Sequence, residues 1–433
     1  MITEVPFDEQ YEATTSDDLR ILVVGAGIAG ITVAQLLRRQ GRHPVLIERS
    51  RNSETMTDDD HAGYMLALMP MVDPIFAELG VREHYREASV AIDRYAFHAH
   101  TGETLREDRL GSLLARYGEY RGIARGELIT VLSAETCPVA FDSSLDSLAA
   151  PGSDCATDLG SATGPESRPN RVEVRTGVHG GENRVHSAGF DLVIIADGLN
   201  SHSRRLVPGG SSESSVDTAW GGWVAWAPAD AETDRVDELW GDGFFFGAYP
   251  VKDRIGIFLG APDSREPLGA ERFVSEVRRR LTTVSPRIDA ALTAVAEADD
   301  PYFWSLRDFR SAQWTTGRTV LLGDAAAGFL PTAGIGAGMS MESAQMLAAS
   351  LEGILPSQLP AALARYEAVQ RPRVEQAQST SRQLAGLMFH LPKILTGPRE
   401  LLFRLVSIKA ALAPIIDLLK HPAGTDKVRS SDN

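Results

Sequence analysis

Short apolar runs, each closed by glycine or an acidic residue, set the rhythm of this chain. Apart from Arg20, residues 19–24 are aliphatic, mostly β-branched at their end, and stop at Gly25, the pattern of a strand buried on both faces. Over residues 31–40, Ile31, Ala34 and Leu37 fall on one helical face, and Gly41 ends the run. Val45, Leu46 and Ile47 form the next strand, closing on Glu48. Strand, helix and strand in this order predict a βαβ unit and a parallel sheet. The middle of the chain changes character. Residues 220–226, 243–249 and 254–260 are aromatic or aliphatic runs between turn-rich segments, which predicts an antiparallel meander. Strand alternation puts Trp220 and Trp226 on one face and Trp223 on the other, while Phe244 and Phe246 oppose Phe245. Residues 320–322 return to the buried-strand pattern, and helices dominate from Ala337 onward. Residues 143–170, rich in Ser, Gly, Pro, Ala and Asp, read as a flexible surface excursion.

Composition narrows the picture without choosing a chemistry. A chain of 433 residues can bury a large core, and its 43% hydrophobic and 23% charged content is that of a soluble globular protein. The net charge of -15 argues against nucleic acid or anionic lipid as partners, since phosphate binding starts from positive charge. Cys137 and Cys155 have no metal-type spacing and read as reduced thiols in a cytoplasmic protein. The acidic N-terminus has no secretory pattern, and no apolar run reaches membrane-spanning length. The closest, residues 401–419, is broken by Arg404, Lys409, Pro414 and Asp417. It reads as one or two amphipathic helices docked on the protein's own core.

Three glycine-bearing motifs carry the chemistry. In the first, Gly25 permits the turn out of the strand, Gly27 lets backbone approach a pyrophosphate, and Gly30 lets the helix pack close, with Ile28 and Ala29 between them. The helix start offers N–H groups and a positive dipole end to phosphate. Glu48, followed by Arg49, is placed to accept hydrogen bonds from ribose hydroxyls. The second motif is Asp197-Gly198 with Ser201 and Arg204 behind it. Taken alone it fits a capped turn as well as a binding site. The third runs from Gly323-Asp324 through Pro331, Gly334 and Gly336 into a helix with Ala337 and Gly338 at its start. A carboxylate directly after a buried strand can hold a sugar hydroxyl, and a helix N-terminus suits the negative charge of a reduced flavin ring.

Together, in this order, the motifs resemble those of the class A flavoprotein monooxygenases of the para-hydroxybenzoate hydroxylase type, over residues 19–383. Arg125 with Leu128 and Leu132 resembles the family helix whose arginine reaches FAD, and Gly63 to Leu66 and Leu79 to Val81 match the segment after the first βαβ unit. The resemblance implies that Gly25, Gly27, Gly30 and Glu48 bind the ADP half of FAD. It puts Arg125 and Asp324 against FAD, and Pro331 and Gly336 beside its isoalloxazine. Asp197 belongs to a motif linked to both FAD and nicotinamide nucleotides. Two positions depart from the family, whose usual histidine and asparagine are here Ala327 and Gly338.

The implied fold is α/β, a Rossmann-like FAD-binding domain (19–90, 121–205 and 315–390) with an inserted antiparallel β-sheet substrate domain (91–120 and 206–314) and C-terminal helices (391–433). The implied activity is insertion of one oxygen atom from O2 into a small apolar aromatic or polycyclic compound. A flavin C4a-hydroperoxide carries the oxygen, with noncovalent FAD, and NADH or NADPH is the transient reductant. Trp220, Trp223, Trp226, Phe244, Phe245, Phe246 and Pro331 are the candidate pocket residues, with Trp223 grouped with Phe245 and Trp220 with Phe246 as alternative walls. No catalytic acid, base or metal ligand stands out. An FAD-dependent reductase or dehydrogenase of an isoprenoid or lipid-like substrate fits the same motifs, as does FAD held as a structural or regulatory prop. A halogenase fits poorly, because the first lysine is Lys252 and the segment Trp223 to Pro228 is a weak match to the halogenase signature.

Overall fold

The structure, a computed structural model, describes residues 1–58, 64–149, 170–177, 183–207, 209, 213–299 and 301–429. Two sheets organise it. The first has five strands in the order Thr315–Thr316, Thr319–Leu321, Leu192–Ile195, Ile21–Val24 and Val45–Ile47, all parallel except the first. Its central strands are buried along their whole length, which explains their unbroken aliphatic sequence. Helices Ile28–Arg39 and Gly336–Ser350 pack on it and on each other. The first of these starts three residues before the expected Ile31, because Gly27 is already its cap.

The second sheet has seven strands in the order Phe303–Arg307, Asp217–Pro228, Arg254–Pro262, Phe245–Val251, Arg235–Trp240, Arg94–His98 and Thr104–Arg109. Its pairs are antiparallel except Arg235–Trp240 with Arg94–His98. The three runs expected to form a meander are strands here, but the first pairs with the third rather than the second. The Arg235–Trp240 strand, whose charged residues hide its alternation, completes the set. Helices Ala270–Arg280 and Pro286–Glu297 cover the outer face of this sheet. Its inner face meets Leu330 and the end of the long helix Leu359–Phe389.

Two expectations need correction. Ser143–Ala149 is no loose excursion but a strand paired with Asn170–Thr176, which pairs in turn with Arg184–Phe190. Leu145, Val172, Val174, Ala188 and Phe190 form its buried side, an alternation masked by the serines between. Residues 150–169, Cys155 among them, lie outside the described residues, and Cys137 is buried. The C-terminal segment forms three helices, Thr396–Leu405, Ile408–Ala411 and Ala413–Lys420. The last docks as expected, burying Ile415, Ile416 and Leu418, with Arg373 bridging the Leu418 carbonyl (3.0 Å) to buried Glu342 (2.7 Å). The first docks too, through Phe403 on Phe97 and Trp240 and through buried Arg399, while its Leu401, Leu402 and Leu405 face outward. Among the described residues no helix is long and apolar enough to cross a membrane.

Candidate active site

The first glycine loop is shaped by contact with the second motif. Gly25 has φ +100°, and a Cβ there would lie 2.6 Å from the Ala196 carbonyl oxygen, so only glycine fits. A Cβ on Gly30 would strike the Gly25 carbonyl, whereas one on Gly27 would meet no atom within 4 Å. Gly27 is therefore the one glycine of the three whose missing side chain faces open space, at the start of helix Ile28–Arg39. Glu48 is drawn against this loop: one oxygen accepts the Ala26 N–H (2.7 Å), the other the Ser50 N–H (2.8 Å) and hydroxyl (3.0 Å). Ala29 is buried and Arg49, beside Glu48, is exposed.

Far-separated residues converge on Asp324. The residue is not fully buried, but its carboxyl is enclosed by protein, and that enclosure pushes it up to about 6 against the opposing pull of Ser340 and Arg204. The Ser340 hydroxyl, 3.4 Å away, is its nearest donor. Burial likewise raises the Tyr64 phenol, opposed by Arg125 and reinforced by Asp324. Arg125 opens helix Arg125–Leu132, its N–H donating to the Tyr64 carbonyl (2.9 Å) and its guanidinium to the Met56 carbonyl (3.1 Å). Tyr64 and Ser340 join Arg125 and Asp324 only through the tertiary fold; Tyr64 lies in the family-matched segment Gly63 to Leu66, while no local signal marks Ser340.

Asp197 behaves locally as a cap, one oxygen accepting the Ser203 N–H (3.1 Å), while its other oxygen is buried without a partner. Arg204 ties the second motif to the third. Buried and stacked 3.5 Å from the Phe309 ring centroid, it donates to the carbonyls of Ala325 (2.9 Å) and Leu199 (2.9 Å). Pro331 opens a short turn, Gly334 closes it at φ +62°, and helix Gly336–Ser350 follows, with Ala337 and Gly338 in its first turn. A Cβ on Gly338 would lie 2.8 Å from the Met71 sulfur, so Met71 fills the space that the family's asparagine would need. Ala327, in place of the family's histidine, is buried and bridges to Arg310.

The seven-stranded sheet divides the candidate pocket residues between two faces. Trp220 and Phe245 lie on the inner face, in one cluster with Phe258, Trp240, Leu330, Met388 and Phe389. Trp220 stacks on Phe389 at 4.9 Å. Trp226 is also on this side, under the Arg254 guanidinium and near Met65. Trp223, Phe244 and Phe246 lie on the outer face, packed under Ala270–Arg280 and Pro286–Glu297. The structure does not bring these three together with Pro331. The expected grouping of Trp223 with Phe245 is replaced by Trp223 with Phe246, because both pair with Leu259. On the inner face, glycines let aromatic rings lie flat: a Cβ on Gly222 would run into the Phe258 ring, and one on Gly247 into that of Tyr249.

The site can hold a dinucleotide. The open side of Gly27 and the adjacent helix start suit a pyrophosphate. Glu48 and Asp324 are carboxylates at strand ends, suited to hydroxyl donors, and the unpartnered oxygen of Asp197 is a further acceptor. Residues 18–381 match the model of the FAD binding domain family. The chain is 31% identical over 403 residues to 3-amino-4-hydroxybenzoate 2-monooxygenase PtnB3 of Streptomyces platensis, covering 88% of this chain and 90% of that protein. It is 27% identical to 6-hydroxynicotinate 3-monooxygenase of Pseudomonas fluorescens, covering 84% and 91%. In fold it resembles Klebsiella pneumoniae HpxO, solved with FAD and uric acid, with a TM-score of 0.75 at 20% identity over 94% of this chain and 98% of that one. A parallel sheet with glycine loops at its strand ends, facing a large mixed sheet, defines an FAD-binding oxidoreductase. More narrowly, the chain belongs to the class A FAD-dependent monooxygenase family.

Proposed function

We propose that this protein is an NAD(P)H-dependent FAD monooxygenase that inserts one atom of O2 into a small, apolar aromatic or polycyclic compound. The observation that carries this reading is the aromatic inner face of the seven-stranded sheet, closed by Leu330 next to the Pro331 turn and by Met388 and Phe389. Its relatives support it, since their names give small hydroxylated aromatic rings as substrates. Bound FAD would supply reduction by NAD(P)H and activation of O2. In this reading residues 19–90, 121–205 and 315–390 form the FAD body, and 91–120 with 206–314 the substrate body. Gly25, Gly27, Gly30, Glu48 and Arg49 take the ADP half, Arg125, Asp197 and Asp324 the remainder of FAD, and Pro331 to Gly338 border the flavin ring. Trp220, Phe245 and Phe258 orient an aromatic substrate and exclude water, which otherwise diverts activated oxygen to hydrogen peroxide.

The test is made on FAD-loaded protein with NADH or NADPH, a panel of aromatic compounds and isotopically labelled dioxygen. The expected result is substrate-stimulated NAD(P)H oxidation and a product carrying one labelled oxygen atom. A product with added hydrogen and no label would make the protein an FAD reductase. Colourless protein that cannot be reconstituted with FAD would end the flavoenzyme reading.

A further inference from the structure

Among the described residues the inner face carries two acidic side chains in register with its rings, Asp108, which is paired with Arg106, and Glu238, which is not. Glu238 lies on the strand Arg235–Trp240, opposite Gly247 on one side and Phe97 on the other. Its two oxygens accept the Tyr249 hydroxyl (2.7 Å) and the Trp240 indole N–H (3.0 Å), and the Tyr95 phenol also hydrogen-bonds to it. All three donors are neutral. Among the described residues no arginine, lysine or histidine forms an ion pair with Glu238.

The neighbouring residue shows what the same strand does with a carboxylate that only has to be buried. Asp237 points to the outer face and is met by His98 (2.8 Å), Arg235 (3.2 Å) and Arg287 (2.8 Å). Its charge is matched within the fold, while that of Glu238 is not. Cations do stand near the inner face, but they are engaged elsewhere. Arg399 donates to the Trp240 carbonyl at the strand end, and Arg106 pairs with Asp108 and the Val406 carbonyl. Arg254 stacks on Trp226.

A carboxylate is an acceptor only, and three neutral donors leave its net charge in place. The rings next to it belong to the same wall: Trp240 clusters with Phe245, Phe258 and Leu330. Electron-rich ring faces favour cations and N–H donors and disfavour anions. A benzoate-like carboxylate brought to this wall would meet Glu238 as a like charge.

Resting on the monooxygenase reading above, we propose that Glu238 is a specificity-determining residue. It accepts a hydrogen bond from an amino group on the aromatic substrate, and it selects aromatic amines over ring-matched carboxylates. Tyr249, Tyr95 and Trp240 hold the carboxylate in place for that contact.

The test is made on the FAD-loaded enzyme, reading ligand binding from the perturbation of flavin absorbance, so that turnover is not required. The probes are phenol, 2-aminophenol, 4-hydroxybenzoate and 3-amino-4-hydroxybenzoate. The wild type should bind 2-aminophenol roughly tenfold or more tighter than phenol, in keeping with one charge-assisted hydrogen bond, and tighter than either carboxylate. In Glu238→Gln the preference for 2-aminophenol over phenol should fall to about twofold or less, with FAD content and phenol affinity little changed. Equal binding of phenol and 2-aminophenol by the wild type, tighter binding of either benzoate, or no binding of 2-aminophenol overturns the proposal. So does an undiminished preference in Glu238→Gln. The wild-type comparison stands even if the variant folds poorly. Failure of the monooxygenase reading is a separate outcome, seen as absent FAD or an unlabelled product.

Discussion

The two faces of the seven-stranded sheet are built from the same kinds of residue and are organised in opposite ways. On the outer face Trp223, Phe244 and Phe246 interlock with Phe273, Val277 and Leu292 of two covering helices, and the buried charge of Asp237 is answered by His98, Arg235 and Arg287. On the inner face Phe258 and Tyr249 lie flat over glycines, and Glu238 has only neutral donors. One face is finished by the fold, with its volumes filled and its charges matched. The other packs its rings against Leu330, Met388, Phe389 and Phe403, with Glu238 among them. An aromatic residue in a strand is thus not evidence of a pocket until its face is known.

The largest effects should come from breaking the outer face. Trp223→Ala removes a fully packed side chain between sheet and helices and should cost about 3–5 kcal/mol of stability, read by denaturant titration. Asp237→Asn should cost about 3–5 kcal/mol, since it leaves two guanidinium groups without their buried counter-charge. Burial alone would push the Asp237 carboxyl up, but the His98 hydrogen bond and the charges of Arg235 and Arg287 hold it below the ordinary range. Its contribution is therefore complete above pH of about 4 and is lost as pH falls through its lowered folded value. The variant should show a shallower loss of stability in acid than the wild type.

The carboxylates proposed above to contact FAD should behave differently. Asp324, raised to about 6, favours the folded state while protonated, and that contribution disappears as pH rises from about 4 through 6. Asp324→Asn should accordingly stabilise the apoprotein at pH of about 8 by up to about 3 kcal/mol while lowering its retention of FAD. Thermal melts with and without FAD check both signs. Glu48→Ala should weaken FAD binding by about 1.5–3 kcal/mol, measured by flavin fluorescence on titration.

Much of this was legible in the chain because glycine motifs are demands of the backbone. The turn at Gly25 and the close packing at Gly30 can be met by almost no other residue, so the letters carry the geometry. Strand alternation correctly set Trp220 apart from Trp223, but it could not say which strand pairs with which. That register, Trp223 and Phe246 both against Leu259, decides the faces and is a long-range fact. Ser340 and Glu238 have no motif of their own, and Tyr64, although inside the matched segment Gly63 to Leu66, gains its role from Arg125 and Asp324, distant in sequence. The strand Ser143–Ala149 was hidden by small polar residues on its exposed side, and the outward Leu401, Leu402 and Leu405 follow no rule that burial alone supplies.

The most direct test of the difference between the faces is the fraction of consumed O2 recovered as hydrogen peroxide in Trp220→Ala and Trp223→Ala, assayed side by side with the same substrate and reductant. The account predicts that Trp220→Ala, on the face with Leu330 and Phe389, sharply raises peroxide release while losing less thermal stability than Trp223→Ala. Trp223→Ala should melt earlier yet remain coupled below its melting temperature. Peroxide release that rises in Trp223→Ala and stays at the wild-type level in Trp220→Ala would contradict it.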